Sequence, residues 1–130
     1  MNKYRIPSIA NACAIFQLLT TSKKIMSASM IAKELELPRT SVFRILKTLE
    51  EEGMVLFVSN GYVMGHRLIN IGLQATSQIP ERRLCVPILQ ELTNITGETS
   101  HFAILSGKNA LLMEVCDSPH ALRVASRPGT

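Results

Sequence analysis

The sequence predicts an α+β chain: an N-terminal winged helix-turn-helix, a connecting helix, and the beginning of a small α/β domain. Three observations carry this. Residues 27–53 hold two apolar-striped helical segments joined by Leu35-Glu36-Leu37-Pro38, and two β-prone runs then meet at Ser59-Asn60-Gly61. After Pro80 comes one more amphipathic helical stretch, followed by β-prone segments instead of further helices.

Each element has a local reason. Ser8 is a candidate N-cap for a first helix reaching about Leu19, in which only Asn11 and Gln17 interrupt apolar residues. A helix apolar nearly all round in so small a domain predicts a second buried side, hence a self-association surface on helix 9–19. Lys23 and Lys24 lie in a polar connection. Ser27 or Ser29 caps the next helix, which turns Ile31, Ala32 and Leu35 toward the core. Pro38 suits the first turn of the third helix, where a missing N–H costs nothing. That helix is expected over 39–52, with Gly53 as the residue that stops it.

Along the third helix Val42, Ile45, Leu46 and Leu49 fall at i, i+3, i+4 and i+7, one apolar stripe at helical period. Arg39, Thr40, Ser41, Phe43, Arg44 and Lys47 fall outside it. A helix anchored on one face and cationic on the other has the pattern of a recognition helix. Arg39 or Arg44 is the candidate for a bidentate guanine contact, Thr40 and Ser41 for phosphate or base-edge hydrogen bonds, and Lys47 for backbone phosphate. Glu50, Glu51 and Glu52 would repel phosphates, so the C-terminal end of this helix is expected to point away from a duplex.

Residues 55–58 and 62–64 form the expected hairpin, with Asn60-Gly61 taking the two positive-φ turn positions. A helix over about 66–78 follows, weakened by Gly72. Leu84, Cys85, Ile88, Leu89, Leu92 and Ile95 mark another amphipathic helix, interrupted or started at Pro87 and stopped by Gly97. Three strands are expected after it, at 99–105, 110–116 and 121–126. The resulting division is 5–65 for the winged helix, 66–80 for the linker helix and 81–130 for the last unit.

The totals narrow the function. Of 130 residues, 46% are hydrophobic and 18% charged, which belongs to a folded chain and not a disordered one. No apolar run reaches the roughly 18–20 residues that span a bilayer, and the basic N-terminus lacks a signal-peptide cleavage site; a cytoplasmic location is expected. Residues 1–80 hold nine Lys or Arg against five Glu, while residues 81–130 hold five basic against five acidic residues. The whole net charge of +4 therefore lies with the helix-turn-helix half.

Enzymatic signatures are scarce, and no catalytic residue, metal or cofactor is expected. There is no glycine-rich phosphate loop, nucleophile elbow or carboxylate pair in a plausible cleft. Cys116, Asp117 and His120 are close in sequence, but zinc needs three or four converging ligands, and neither His101, Cys85 nor Cys13 supplies a recognisable second pair. Three cysteines far apart do not make a disulfide framework; they are read as reduced, buried apolar residues.

Read in order, the motifs resemble the IclR family of bacterial transcriptional regulators. The likeness runs from Ser8-Ile9-Ala10-Asn11-Ala12 through Leu37-Pro38-Arg39-Thr40-Ser41-Val42-Phe43-Arg44-Ile45-Leu46-Lys47-Thr48-Leu49-Glu50 and Tyr62-Val63-Met64-Gly65. It continues in Thr96-Gly97-Glu98-Thr99-Ser100-His101 and Ser126-Arg127-Pro128-Gly129. The resemblance implies a winged helix with its helix-turn-helix over about 27–46, a linker helix, and a GAF-like α/β effector-binding domain. It also implies a dimer or tetramer on double-stranded operator DNA. Family members run to about twice this length, so the effector-binding domain is expected to be incomplete here, with effector-contacting residues unassigned and small-molecule sensing lost if the chain is whole. The wing tip departs from the family in carrying no Lys or Arg. A palindrome-binding regulator is the leading expectation; a non-sensing remnant that pairs with full-length relatives is the alternative.

Overall fold

The computed structural model describes residues 3–22, 24–123 and 125–130. Met1, Asn2, Lys23 of the polar connection and Val124 of the third expected strand lie outside the described residues. The chain divides into two compact units, residues 1–74 and 75–130. The first holds α1 (Pro7–Thr21), α2 (Ala28–Glu34), α3 (Arg39–Glu51), β1 (Val55–Val58) and β2 (Gly61–Met64); the second holds α5 (Pro80–Thr96), β3 (Ser100–Ser106) and β4 (Asn109–Cys116). The division falls inside α4 (His66–Ser77).

In the first unit α1 starts two residues earlier than Ser8 as N-cap predicts. Pro7 takes the opening position with Ile6 as a cap that makes no side-chain hydrogen bond, because the fixed φ of proline is already helical and its missing N–H would have been an orphan. Ser27 caps α2 as expected, its side chain accepting from the Met30 N–H at 3.3 Å. The corner to α3 is made by Glu36 at φ 53°. There the Glu36 N–H reaches the Lys33 carbonyl at 3.3 Å and the Leu37 N–H the Ala32 carbonyl at 2.9 Å. This is the Schellman arrangement, built on a glutamate where glycine is the easier residue. The same pair of bonds ends α3 on Gly53 at φ 68°, with Gly53 N–H to Glu50 at 3.0 Å and Met54 N–H to Leu49 at 2.8 Å.

The core of this unit is one cluster. Ile15 of α1, Ile31 of α2, Val42 and Leu46 of α3 and Val55 of β1 are fully buried, joined by Met26, Ala32 and Tyr62. Of the expected stripe, Ile45 and Leu49 are partly buried against it. The hairpin forms with Val55 opposite Met64 and Val58 opposite Gly61. Its turn is not the expected one: Ser59 (φ 45°) and Asn60 (φ 71°) hold the positive-φ positions. Gly61 is needed for space instead, since a Cβ there would lie 2.4 Å from Ile25 Cγ2 and 2.9 Å from the Met26 carbonyl oxygen. That close approach is the bridge in which the Tyr62 N–H donates to the Met26 carbonyl at 2.9 Å, adding a third line of chain to the wing.

In the second unit α5 begins at Pro80 and runs through Pro87. Arg83, whose carbonyl Pro87 cannot reach, is exposed, so solvent can satisfy it. Strands β3 and β4 pair antiparallel with an irregularity between Phe102 and Ala103, and α5 lies on them through buried Leu89 and Thr93. Thr93 and Ser100 share a 2.8 Å hydroxyl pair, and Ser100 Oγ donates to the Leu89 carbonyl at 3.0 Å. Arg82 also forms an ion pair with Glu114 of β4.

In this unit one apolar face is left largely uncovered and one expectation fails. Of the predicted α5 stripe only Leu89 is buried, while Leu84, Ile88, Leu92 and Ile95 are exposed; a two-stranded sheet covers only a narrow strip of helix. The third strand at 121–126 is also missing among the described residues. Ser118 instead pins the chain back to the α5–β3 corner, its N–H donating to Thr99 Oγ1 at 3.0 Å and its hydroxyl to the Gly97 carbonyl. The free side of β4 is met later, where Leu112 exchanges backbone bonds of 2.7 and 3.0 Å with Gly129 and Thr130.

Candidate nucleic-acid interface

Helix α3 is held by its apolar face, which leaves the opposite arc to solvent. Arg39, Thr40, Arg44 and Lys47 are exposed on it. Arg39, Thr40, Phe43 and Arg44 surround a hollow of about 360 Å³ at the N-terminal end of the helix. Among the described residues neither Arg39 nor Arg44 is in a salt bridge, so both guanidinium groups keep all five donors available for an anion or a base edge. Backbone N–H groups of the first helical turn add further donors beside them.

The other two candidates sit differently. Ser41 is half-buried and faces a groove of about 650 Å³ between α1 and α3, which Arg44 also borders. Lys47 is engaged along its own helix: its ammonium lies 2.7 Å from Glu50 Oε2 and 5.9 Å above the centroid of the Phe43 ring. The hydrogen bond that the Lys47 ammonium donates to the Glu50 carboxylate raises the Lys47 pKa above its ordinary value. An i, i+3 pair of this kind was readable in the sequence but went unread. If Lys47 takes the phosphate contact expected of it, this pair must open first. Glu50→Gln should raise affinity for random duplex by no more than about fivefold, the ceiling for an exposed pair. The gain should shrink as salt is added; fluorescence anisotropy showing no gain at low salt would mean that Glu50 does not restrain the lysine.

Phe43, outside the apolar stripe, shares this arc. Its ring is 49% exposed in the middle of the cationic arc. The wing bears a second exposed aromatic, Phe57, packed edge-on against Tyr62 at 5.1 Å. Its tip, Ser59-Asn60, carries no cation, as the sequence indicates. Cys116 gives its carbonyl to Thr93, Asp117 lies 3.8 Å from Arg123, and a Cβ on Gly97 would stand 3.1 Å from His120 Nε2. Among the described residues no group of three His, Cys, Asp or Glu could hold a metal. Cys13, read as buried, is exposed on α1, where the helix turns that side outward. Among the described residues no helix is long and apolar enough to cross a membrane.

Residues 8–59 match the IclR helix-turn-helix domain. The chain is 26% identical over 132 residues to the probable transcriptional regulator SauR of Cupriavidus necator, covering 100% of this chain and 52% of that protein. It is 32% identical over 129 residues to the HTH-type transcriptional regulator Rv1719 of Mycobacterium tuberculosis, covering 95% and 48%. Among solved structures, an IclR transcriptional regulator from Alicyclobacillus acidocaldarius superposes with a TM-score of 0.78 at 25% identity, over 98% of this chain and 53% of that one. The chain thus spans about half the length of the relatives it matches.

Proposed function

We propose that this chain, whose residues 8–59 match the IclR helix-turn-helix domain, is a sequence-specific DNA-binding transcriptional regulator. The observation that carries this reading is the exposed arc of α3, where Arg39 and Arg44 flank a hollow at the helix N-terminus and neither guanidinium is in a salt bridge among the described residues. In this reading α3 enters the major groove, Arg39 or Arg44 reads a guanine, Thr40 and Ser41 bond base edges or phosphate, and Lys47 leaves Glu50 for a phosphate. Residues 5–65 are the reading head, 66–80 the linker helix, and 81–130 the first part of an effector-binding domain. The protein acts in the cytoplasm.

Two copies meeting through helix 9–19 would set two recognition helices about 34–36 Å apart on a palindromic operator. Ile9, 59% exposed, and Cys13 on the outer side of α1 favour this. The test is anisotropy on genomic fragments and random duplex at two salt concentrations. Steep salt dependence, one preferred site and two chains per duplex are expected. Replacing the base-reading arginine, by Arg39→Ala or Arg44→Ala, should cost about 1–3 kcal/mol on that site and relax specificity at one position. Equal loss on specific and random DNA for both variants would remove the base-reading role. No site preference at all, combined with stable complexes with longer relatives, would favour a partner protein without an operator of its own.

A further inference from the structure

We propose that Phe43 reads DNA, packing its ring on the C5-methyl group of a thymine in the major groove; this rests on the DNA-reading role of α3 proposed above. Phe43 lies four residues after Arg39, three after Thr40 and four before Lys47, so at helical period it stands in the middle of the arc those residues define. It is also the exception among the large apolar residues of its helix. Val42 and Leu46 are fully buried and Ile45 and Leu49 pack against the same core, whereas the Phe43 ring is half exposed. It is not among the residues packed in this unit's core cluster. The Lys47 ammonium, 5.9 Å from the ring centroid, holds one ring face. The hollow beside it, about 360 Å³, is bounded by Arg39, Thr40 and Arg44 and is ample for a methyl group.

Any docking that uses Arg39, Thr40 and Arg44 must carry this ring into the groove with them. Against phosphates or polar base edges a phenyl ring would strip water without replacing its hydrogen bonds. The base-edge group in the major groove that rewards an apolar side chain is the thymine methyl, which adenine, guanine and cytosine lack.

The test begins with selection of binding sites from a random duplex pool by the whole chain, followed by titration of the selected duplex with each thymine replaced in turn by deoxyuridine. The wild type should lose about fourfold in affinity at one thymine per half-site, the worth of one buried methyl-sized group. Phe43→Ala should bind the thymine and uracil duplexes alike and select a motif degenerate at that position. Phe43→Leu should keep part of the discrimination; circular dichroism melting of both variants verifies folding. Uracil tolerated at every position by the wild type, or full discrimination retained by Phe43→Ala, overturns the inference while leaving the DNA-reading function standing. A pool from which the wild type enriches no motif overturns both.

Discussion

Leu46→Ala is expected to lower the stability of the first unit by about 2–5 kcal/mol, the range for emptying a fully packed leucine site. Leu46 is fully buried in the cluster that α3, with its own Val42, forms with Ile15 of α1, Ile31 of α2 and Val55 of β1, so the cavity cannot close by moving one element. Domains of this size hold a net stability of only about 5–15 kcal/mol. A substantial fraction of the variant should therefore be unfolded under mild heating or low denaturant, and DNA binding should fall although no cationic side chain has changed. Chemical denaturation followed by circular dichroism measures the loss. Leu105→Ala provides the contrast, since Leu105 is 83% exposed and the change should stay within about 0.5 kcal/mol. Similar midpoints for the two variants would show that α3 is not anchored as described.

Gly65→Ala is the second large effect, and it acts on backbone. A Cβ at Gly65 would stand 2.1 Å from the Gly53 carbonyl oxygen and 2.7 Å from the Met54 carbonyl carbon. The chain leaving the wing lies directly on the chain leaving α3, held there by the Gly65 N–H donating to the Met54 carbonyl at 2.7 Å. No rotamer change can relieve such a clash. The expected loss is about 1–3 kcal/mol or more, a fall in melting temperature of at least about 4 °C for a unit this small. The wing should also shift against the recognition helix, weakening operator binding. Gly72→Ala is the matched control, because a Cβ there meets nothing within 4 Å and a helical alanine is favoured over glycine by about 1 kcal/mol. An unchanged melting temperature for Gly65→Ala would mean that the two strands of chain are free to separate.

The first unit was legible wherever one segment carried its own instructions. Gly53 ends α3 because a left-handed residue is needed there and glycine takes it without penalty. Val42 and Leu46 are buried because a helix of this period has one face to bury them on. The cationic arc could be drawn from spacing alone for the same reason. Phe43 and the Lys47–Glu50 pair were equally present in the spacing. Their significance lies in neighbours three and four positions away on the helix surface, which a residue-by-residue reading of an aromatic or an acid leaves aside.

What failed depended on a second segment. Asn60-Gly61 is the local signature of a tight turn, but Gly61 is held against Ile25 and Met26, and the positive φ angles moved back to Ser59 and Asn60. The α5 stripe from Leu84 to Ile95 has helical period, yet the width of the β3–β4 pair decides that only Leu89 of it is buried. The stretch 121–126 has β-prone residues, but Ser118 ties the chain to Gly97 and Thr99 before a strand can run beside β4. By itself the sequence determined the helices and the two hairpins, where α3 and α5 stop, and which arc of α3 carries charge. Only the tertiary structure decided which glycine serves a turn and which a close approach, and how much of an apolar face is covered. Caps, periods and turn residues act within a few positions of the chain, whereas burial is a property of surfaces that distant segments bring together.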